Sequence, residues 1–320
     1  MITQKRLQRY IQFLKKQGQY TTGEEQFEKD YRLSLFLSEL AQAAKKKEIQ
    51  RLQTLVFKGG TLLTKAYLKY HRISEDLDFT HPQCNDIREL ESIQQQERVI
   101  KHLVKELFDE IELIAQRTGL DFVHDRTNKR YVQLRNSRAI YVLHMHYIST
   151  ITNQKQSIKL EISFTEELQN KPVQITVPNL PDILGVQEQA QVIGVTLHSP
   201  TIPCYPKTEI ALEKFRAILT REQPKERDIL DMYLLNKQLD LFEIPVQQII
   251  RKIQASKRTL QNYTETLTKN CTQLQNQELH TQEDVQYLSL QTIDKQEYQE
   301  FKKQLFTHLK QVCSYFYCSS

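Results

Sequence analysis

The sequence is most constrained by two adjacent glycines, Gly59 and Gly60, in a chain of 320 residues that holds only seven glycines. Glycine adopts backbone conformations that other residues avoid, and its missing side chain lets another group approach the main chain closely. A short apolar segment, Thr54–Phe57, runs into the pair, and an amphipathic segment, Thr61–Arg72, follows it. This order predicts a buried strand, a tight turn and a helix whose free N–H groups could bind a phosphate.

Two acids follow this helix on a second predicted strand, Ser74–Thr80. Because side chains alternate across a strand, Asp76 and Asp78 are expected on one face, about 6–7 Å apart, and Leu77 on the other. Carboxylates at this spacing suit one or two divalent cations. Two acids separated by one residue are common at strand ends, but after a strand, a double-glycine turn and a helix they indicate a catalytic site.

The predicted helix divides its residues between two faces. At 100° per residue the buried arc carries Leu62, Leu63, Ala66, Tyr67 and Tyr70. The opposite arc carries a hydroxyl and three cations, from Thr61, Lys65, Lys69 and Arg72. We interpret Lys69 and Arg72 as parts of a solvated face, and Thr61 and Lys65 as candidate phosphate contacts.

A third acid is expected on a later strand. In the segment Ile158–Phe164, apolar residues alternate with Lys159, Glu161 and Ser163. Glu161 therefore has the apolar–acid–apolar context of a site residue on a strand face, and it is the candidate for the third carboxylate. The alternative is a surface position on an edge strand.

The second part of the chain has a different character. Six of the nine prolines lie between residues 172 and 206, which indicates a loop-rich joint. The patterns beyond it are helical and predict Lys207–Thr220, Arg227–Asn236, Val246–Leu267 and Lys295–Tyr315. Strands are expected before it at Tyr131–Leu134, Ala139–Ile148 and Ser157–Phe164, with two more inside residues 173–197. We therefore predict an α/β unit with N-terminal helices, residues 1–204, and a helical C-terminal domain, residues 205–320.

One lysine of the C-terminal domain interrupts an apolar arc. Lys214 falls between Ile210 and Ile218 on its helix. A lysine there must extend to the surface, pair with an acid or reach a ligand. On the next helix, Asp228 and Asp231 share the narrow polar arc, where they can pair with Lys214 or contact a ligand, and the pattern does not separate the two.

Composition limits the remaining possibilities. The net charge of +5 permits a nucleic-acid partner without requiring one. The five cysteines are scattered and never form a CxxC pair, which disfavours a disulfide framework and a zinc–cysteine site. No apolar run approaches the ~20 residues that cross a bilayer, and the N-terminal MITQKRLQRYIQF is too charged for a signal-peptide core. These features predict a soluble cytoplasmic protein with no membrane partner.

Three separated motifs resemble the AbiEii/AbiGii toxin family, which includes the MenT-type toxins and belongs to the DNA polymerase β superfamily of nucleotidyltransferases. The motifs are GGTLLTKAY with SEDLDF, IALEKFRAIL at Ile210–Leu219, and RDILDMYLL at Arg227–Leu235, where Met232 replaces the usual leucine. The resemblance covers roughly residues 50–240. It implies an α+β fold, in which helices flank a polymerase β-like mixed sheet, with an all-helical C-terminal domain.

The resemblance also implies an activity and a set of site residues. A nucleoside monophosphate would pass from a nucleoside triphosphate to an acceptor with release of pyrophosphate. Asp76, Asp78 and Glu161 would bind Mg²⁺ or Mn²⁺, with Glu161 standing where the superfamily more often has aspartate. Lys214 would be catalytic and hold the triphosphate between the two halves. The other nucleotide-binding positions would be Gly59, Gly60, Thr61, Lys65, Ser74, Asp228 and Asp231.

The biological role implied by the resemblance is that of the toxin in a toxin–antitoxin pair, acting in phage defence. Its acceptor would be RNA, at the 3′ end of tRNA, and its partner a cognate antitoxin. Two alternatives stay open. The enzyme could modify a protein or a small molecule such as an antibiotic, or the chain could be a non-catalytic module that binds a nucleotide or an antitoxin. The intact set of three acids argues against the second.

Overall fold

The chain forms two compact units in the computed structural model. The first contains residues 1–165 and 172–204, and the second contains residues 166–171 and 205–320. Within these ranges the structure describes residues 3–18, 23–135, 139–255, 257–276, 279, 288–290 and 292–318.

A seven-stranded mixed sheet forms the centre of the first unit. Its strands are β1 Val56–Lys58, β2 Asp76–Thr80, β3 Val132–Arg135, β4 Ile140–Ile148, β5 Lys155–Ser163, β6 Val173–Thr176 and β7 Thr201–Cys204. They lie in the order β3-β4-β5-β2-β1-β7-β6. β2 runs parallel to β5 and β1 runs parallel to β7, whereas the other neighbours are antiparallel. The predicted α+β fold with a mixed sheet is confirmed.

Helices of the first unit pack around this sheet. They are α1 Gln4–Gly18, α2 Glu24–Lys45, α3 Gly59–Leu62, α4 Cys84–Glu89, α5 Ile93–Thr118, α6 Leu180–Leu184 and α7 Gln187–Ile193. The long helix α5 begins at a capping box, in which Ser92 and Gln95 satisfy each other's backbone N–H groups, and it ends at the left-handed Gly119. None of the described helices is both long and apolar enough to span a membrane.

The prediction of two strands inside residues 173–197 is half right. β6 lies there, but β7 begins only at Thr201, and two helices occupy the interval between them. The first helix is specified locally, because Asn179 and Asp182 form a capping box and Pro181 lies in the first turn.

The helix predicted at Thr61–Arg72 begins two residues earlier and is partly a π-helix. α3 begins at Gly59 and passes into a π-helix, Leu63–Tyr67, in which the Leu68 N–H donates to the Leu63 carbonyl five residues back at 2.9 Å. A wider turn alters the angle between successive side chains, so the projection at 100° per residue fails here.

Lys65 is the residue most affected by this change. It is 1% exposed, and its Nζ lies 2.6 Å from Asp30 Oδ1 and 2.9 Å from Ser34 Oγ, both on α2, with the Tyr70 hydroxyl as a further partner. The predicted exposed position of Lys65 is therefore wrong. Its ammonium ties the glycine-led helix to α2 instead of facing a phosphate.

The second unit is helical, with α8 Lys207–Thr220, α9 Glu226–Asn236, α10 Val246–Gln254, α11 Lys257–Gln275 and α12 Lys295–Cys318. The single helix predicted at Val246–Leu267 is two helices. Residues 166–171 join this unit because the buried Glu209 carboxylate accepts the N–H groups of Gln169 at 3.2 Å and Asn170 at 2.9 Å. Lys252 closes the cluster, with Nζ 2.6 Å from Glu209.

One disulfide corrects the cysteine analysis. Cys271 on α11 is bonded to Cys313 on α12, 42 residues apart in the sequence. Local spacing could not reveal this pair, since the packing of the two helices brings the residues together. Cys84 and Cys204 are buried thiols.

Candidate active site

The three candidate acids lie on one face of the sheet. In the parallel pairing of β2 with β5, Asp78 stands opposite Glu161 and Asp76 stands opposite Lys159. Cross-strand partners project to the same side of a sheet, so the third acid predicted from its strand pattern lies beside Asp78. The intervening Leu77 is buried on the other face.

Asp78 is the electrostatically strained member of the group. Burial and the neighbouring Glu161 carboxylate raise the pKa of Asp78 to about 7, and Asp76 adds to this effect. Lys58 and Lys159 act in the opposite direction without cancelling it. A divalent cation between Asp78 and Glu161 would relieve this repulsion, and carboxylate oxygens are the donors that Mg²⁺ and Mn²⁺ prefer. The two residues therefore fit the implied metal.

Asp76 is held differently from the other two acids. Its Oδ2 lies 3.1 Å from Lys159 Nζ, in an ion pair across the strands. The three acids share a face without being gathered into a ready-made metal site. Within the described part of the chain, no three His, Cys, Asp or Glu side chains are grouped so that they could hold a metal ion.

The glycine pair lies directly against this face. Gly59 has a φ of 77°, and a Cβ built on it would lie 2.2 Å from Asp78 Oδ2. A Cβ on Gly60 would lie 3.0 Å from both Arg72 Nη2 and Ser74 Oγ. The turn thus needs glycine at position 59, and at Gly60 a Cβ would press on the ends of two flexible side chains, so the turn brings the main chain next to Asp78, Arg72 and Ser74.

Thr61 and Arg72 lie elsewhere than the helical projection placed them. The Thr61 side chain is fully buried, and its hydroxyl donates to the Asp76 carbonyl, which joins the start of α3 to β2. Arg72 is buried beside Gly60 and is not on a solvated face. The chain reverses at Lys69 and Tyr70, both with positive φ, and a helical projection cannot extend beyond such a reversal. Sequence reasoning therefore missed Arg72 as a cation of the glycine turn.

The predicted site residues of the second unit form a cluster of their own. Lys214 Nζ lies 2.7 Å from Asp228 Oδ1 and 2.5 Å from Asp231 Oδ2, and the three side chains are 10%, 2% and 0% exposed. Burial acts to raise the pKa of Asp228, but Lys214 and Arg221 outweigh it and hold the pKa below its ordinary value. Of the three alternatives for Lys214, the structure shows pairing with acids, and both acids take part.

A family model and one solved structure agree with this fold. A family model described as "Nucleotidyl transferase AbiEii toxin, Type IV TA system" matches residues 44–315. The solved structure of MenT4, a nucleotidyltransferase toxin from Mycobacterium tuberculosis H37Rv, is 17% identical with a TM-score of 0.53, and the match covers 97% of this chain and 90% of that one. JHP933 from Helicobacter pylori is 15% identical with a TM-score of 0.44, covering 93% and 96%. A search of the curated proteins found no match.

The contact between Gly59 and Asp78 predicts a difference between two glycine substitutions. Gly59 and Gly185 both have positive φ, so alanine at either position adds about 1–2 kcal/mol of backbone strain. The Cβ added at Gly59 would clash with the Asp78 side chain, whereas the Cβ added at Gly185 has no atom within 4 Å beyond its chain neighbours. We expect Gly185→Ala to lower the Tm by about 2–6 °C and Gly59→Ala by at least twice as much. Equal losses in thermal melting would contradict the close contact.

The raised pKa of Asp78 predicts that Asp78→Asn stabilises the metal-free protein at neutral and higher pH. The folded pKa of about 7 exceeds the unfolded value of about 3.9, so the folded state binds this proton more tightly. Stability therefore falls as the pH rises from about 4 to about 7, and asparagine avoids this loss. Because the site is partly open to solvent, we expect a gain of about 1–2 kcal/mol.

Urea unfolding in the presence of EDTA, at about pH 4.5 and about pH 8, measures this gain. It should be small at the lower pH and complete at the higher one. Glu91→Gln, which removes one carboxylate at an exposed position, is the control and should show no such pH dependence. A constant difference at both pH values would show that Asp78 is not strained by its charge.

Proposed function

Because this chain belongs to the AbiEii family of nucleotidyltransferase toxins of type IV toxin–antitoxin systems, we propose that it transfers a nucleoside monophosphate from an NTP to RNA, with Mg²⁺ or Mn²⁺. The observation that carries this proposal is the strand register that sets Glu161 beside Asp78, on the face that also bears Asp76. The glycine turn against Asp78 supports it, because it brings the main chain next to the acids.

Each residue of the first unit has a role in the proposal. Asp78 and Glu161, joined by Asp76, would hold the metal, which when bound supplies positive charge at the reacting phosphate and acidifies the acceptor hydroxyl. Glu161 would take the proton of that hydroxyl. Arg72 and Ser74, beside Gly60, would donate hydrogen bonds to phosphate oxygens. Thr61 would position β2 through the Asp76 carbonyl.

The two lysines that the sequence suggested as nucleotide contacts, Lys65 and Lys214, have different places in the proposal. Lys65 has no part in the proposal, because its three partners are inside the fold. Lys214 remains the proposed triphosphate ligand of the second unit, as in the family motif, with Asp228 and Asp231 holding its ammonium in place.

The choice of RNA as acceptor is supported by the charge of α1. This helix contains Lys5, Arg6, Arg9, Lys15 and Lys16 and no acid, so it carries as much charge as the net +5 of the whole chain. On its outer face an arc of about 60° holds the exposed Lys5, Arg9, Gln12 and Lys16. Among the described residues these three cations form no ion pair, unlike Lys29, Arg117 and Arg130 elsewhere in the unit.

This row fits a phosphate backbone better than a lipid surface. A helix that binds in the plane of a membrane needs a free apolar face. The apolar face of α1, with Leu7, Tyr10, Ile11 and Leu14, is buried in the core of the first unit. The outer face offers only cations and amides, which suit phosphate oxygens.

The family also implies an antitoxin partner and an NTP substrate. We propose further that the acceptor is the 3′ end of tRNA, that the toxin acts in the cytoplasm, where tRNA and NTPs are found, and that the pair serves in phage defence.

The direct test incubates the purified protein with each α-labelled NTP in turn, with Mg²⁺ and total RNA. We expect label to enter RNA of tRNA size, and Asp76→Ala and Asp78→Ala to reduce the rate at least about 100-fold through loss of the proposed metal ligands. Glu91→Gln should retain the activity of the parent protein. Label that stays out of RNA but enters a protein extract or a small-molecule pool added in its place would support the first alternative, and nucleotide binding without transfer would support the non-catalytic one.

The α1 row predicts a salt-dependent loss of RNA binding. Replacing Lys5, Arg9 and Lys16 together by glutamine should weaken tRNA binding about tenfold and reduce the slope of log affinity against log salt by about two. The control replaces the exposed Arg98, Lys101 and Lys105 of α5, which removes the same charge from a helix that also bears acids. Equal effects of the two triple variants would contradict a specific role for α1.

A further inference from the structure

The ion pair between Lys159 and Asp76 lies inside the proposed active site, and the proposed function does not account for it. The two side chains are 28% and 41% exposed, and Nζ lies 3.1 Å from Oδ2. Lys159 shares its strand face with Glu161, two residues further along β5. An ammonium group therefore occupies a position beside one of the carboxylates that the metal needs.

Lys159 has a second neighbour on the same face. In the antiparallel pairing of β4 with β5, His144 stands opposite Lys159. The His144 Nε2 is buried and has no hydrogen-bond partner within the described residues. Cross-strand partners lie about 4.5–5.5 Å apart at their Cβ atoms, so the long lysine side chain can reach either neighbour.

The two neighbours differ in charge. Asp76 offers a carboxylate, whereas burial holds the pKa of His144 below its ordinary value and keeps the imidazole neutral. A neutral imidazole accepts a hydrogen bond at Nε2 in the tautomer that keeps its proton on Nδ1. The row Asp76, Lys159, His144 thus gives the ammonium a strong partner and a weaker alternative.

A divalent cation competes with Lys159 for the same carboxylate. Partly exposed ion pairs are weak, because solvent screens them and two flexible side chains must be held in one geometry. A doubly charged ion held by Asp78 and Glu161 would attract Asp76 more strongly than one ammonium does. Displacement of Lys159 is therefore the expected first consequence of metal binding.

We propose that Lys159 is a movable counter-cation of the active site, bound to Asp76 in the metal-free protein and released toward His144 when a divalent cation takes Asp76. The inference rests on the proposed metal-dependent function. It adds an explanation of how the charge of Asp76 is balanced before the metal binds. Lys159 is thus a positioning residue, which lowers the affinity for metal in the absence of nucleotide.

The test measures Mn²⁺ affinity by isothermal titration calorimetry in the nucleotide-free protein. We expect Lys159→Met to bind Mn²⁺ about five- to tenfold more tightly than the parent protein, and Lys159→Arg, which keeps the charge, to resemble it. The matched control is Lys155→Met. Lys155 is exposed on the same face of β5, four residues and about 13 Å away, so its loss changes the net charge equally without touching Asp76.

The Lys159→Met substitution in a protein that also carries Asp76→Asn distinguishes loss of the ion pair from the general effect of removing a positive charge. In Asp76→Asn protein there is no pair to break and only the effect of the lysine charge on Asp78 remains, so Lys159→Met should tighten Mn²⁺ binding clearly less than it does in the parent background. A gain of the same size in both backgrounds, or the same gain from Lys155→Met, would overturn the inference. Thermal melting of each variant checks that it is folded.

The outcomes also distinguish this inference from the function on which it rests. Equal Mn²⁺ affinities of the parent protein and Lys159→Met would overturn the role of Lys159 and leave the metal-dependent function standing. Failure of every variant to bind Mn²⁺ would overturn the inference, and the transfer assay with and without Mg²⁺ would then decide the metal-dependent function separately.

Discussion

The parallel pairing of β2 with β5 sets two carboxylates, Asp78 and Glu161, next to each other, and their negative charges repel. The cost of this arrangement is visible in the pKa of Asp78, which burial and Glu161 raise to about 7. The arrangement persists because the other face of the same strands is apolar and fully buried, through Leu77, Phe79, Leu160 and Ile162. Apolar burial on one face of the sheet thus stabilises a repulsive cluster on the other, as expected where function rather than stability selects the residues.

The surrounding structure holds the acids from two further directions. The Thr61 hydroxyl donates to the Asp76 carbonyl and so joins the start of α3 to the start of β2. Lys65, one turn further on, is anchored to Asp30 and Ser34 of α2. The glycine turn is therefore held between the sheet and a helix of the core. Lys65, interpreted from the sequence as a phosphate contact, instead supports the turn that would make such a contact.

The sequence predicted correctly those properties that follow from the alternation of side chains within one strand. It did not predict those that depend on how distant segments pack together. Strand alternation has a period of two, so the faces of Asp76, Asp78 and Glu161 could be predicted from their own segments. The register that makes Asp78 and Glu161 neighbours belongs to two distant strands and is not contained in either. The helical projection misplaced Lys65 and Arg72 because a π-helix and two left-handed residues interrupt the regular turn. The Cys271–Cys313 bond was missed for the same kind of reason, since only packing joins α11 to α12.

Lys159 and Lys214 both pair with carboxylates, but they differ in solvent exposure. The partly exposed pair can exchange its partner, whereas the buried one cannot do so without a large cost. Releasing the partly exposed Lys159 leaves Asp76 open to solvent or metal, so the exchange costs little. Releasing Lys214 would take from Asp228 and Asp231 the ammonium that both contact inside the fold, which is destabilising even though Arg221 still pairs with Asp228. An ammonium group has three N–H donors, and the two acids occupy two of them. In the proposed function Lys214 can therefore contact the triphosphate through its third donor while both acids stay in place.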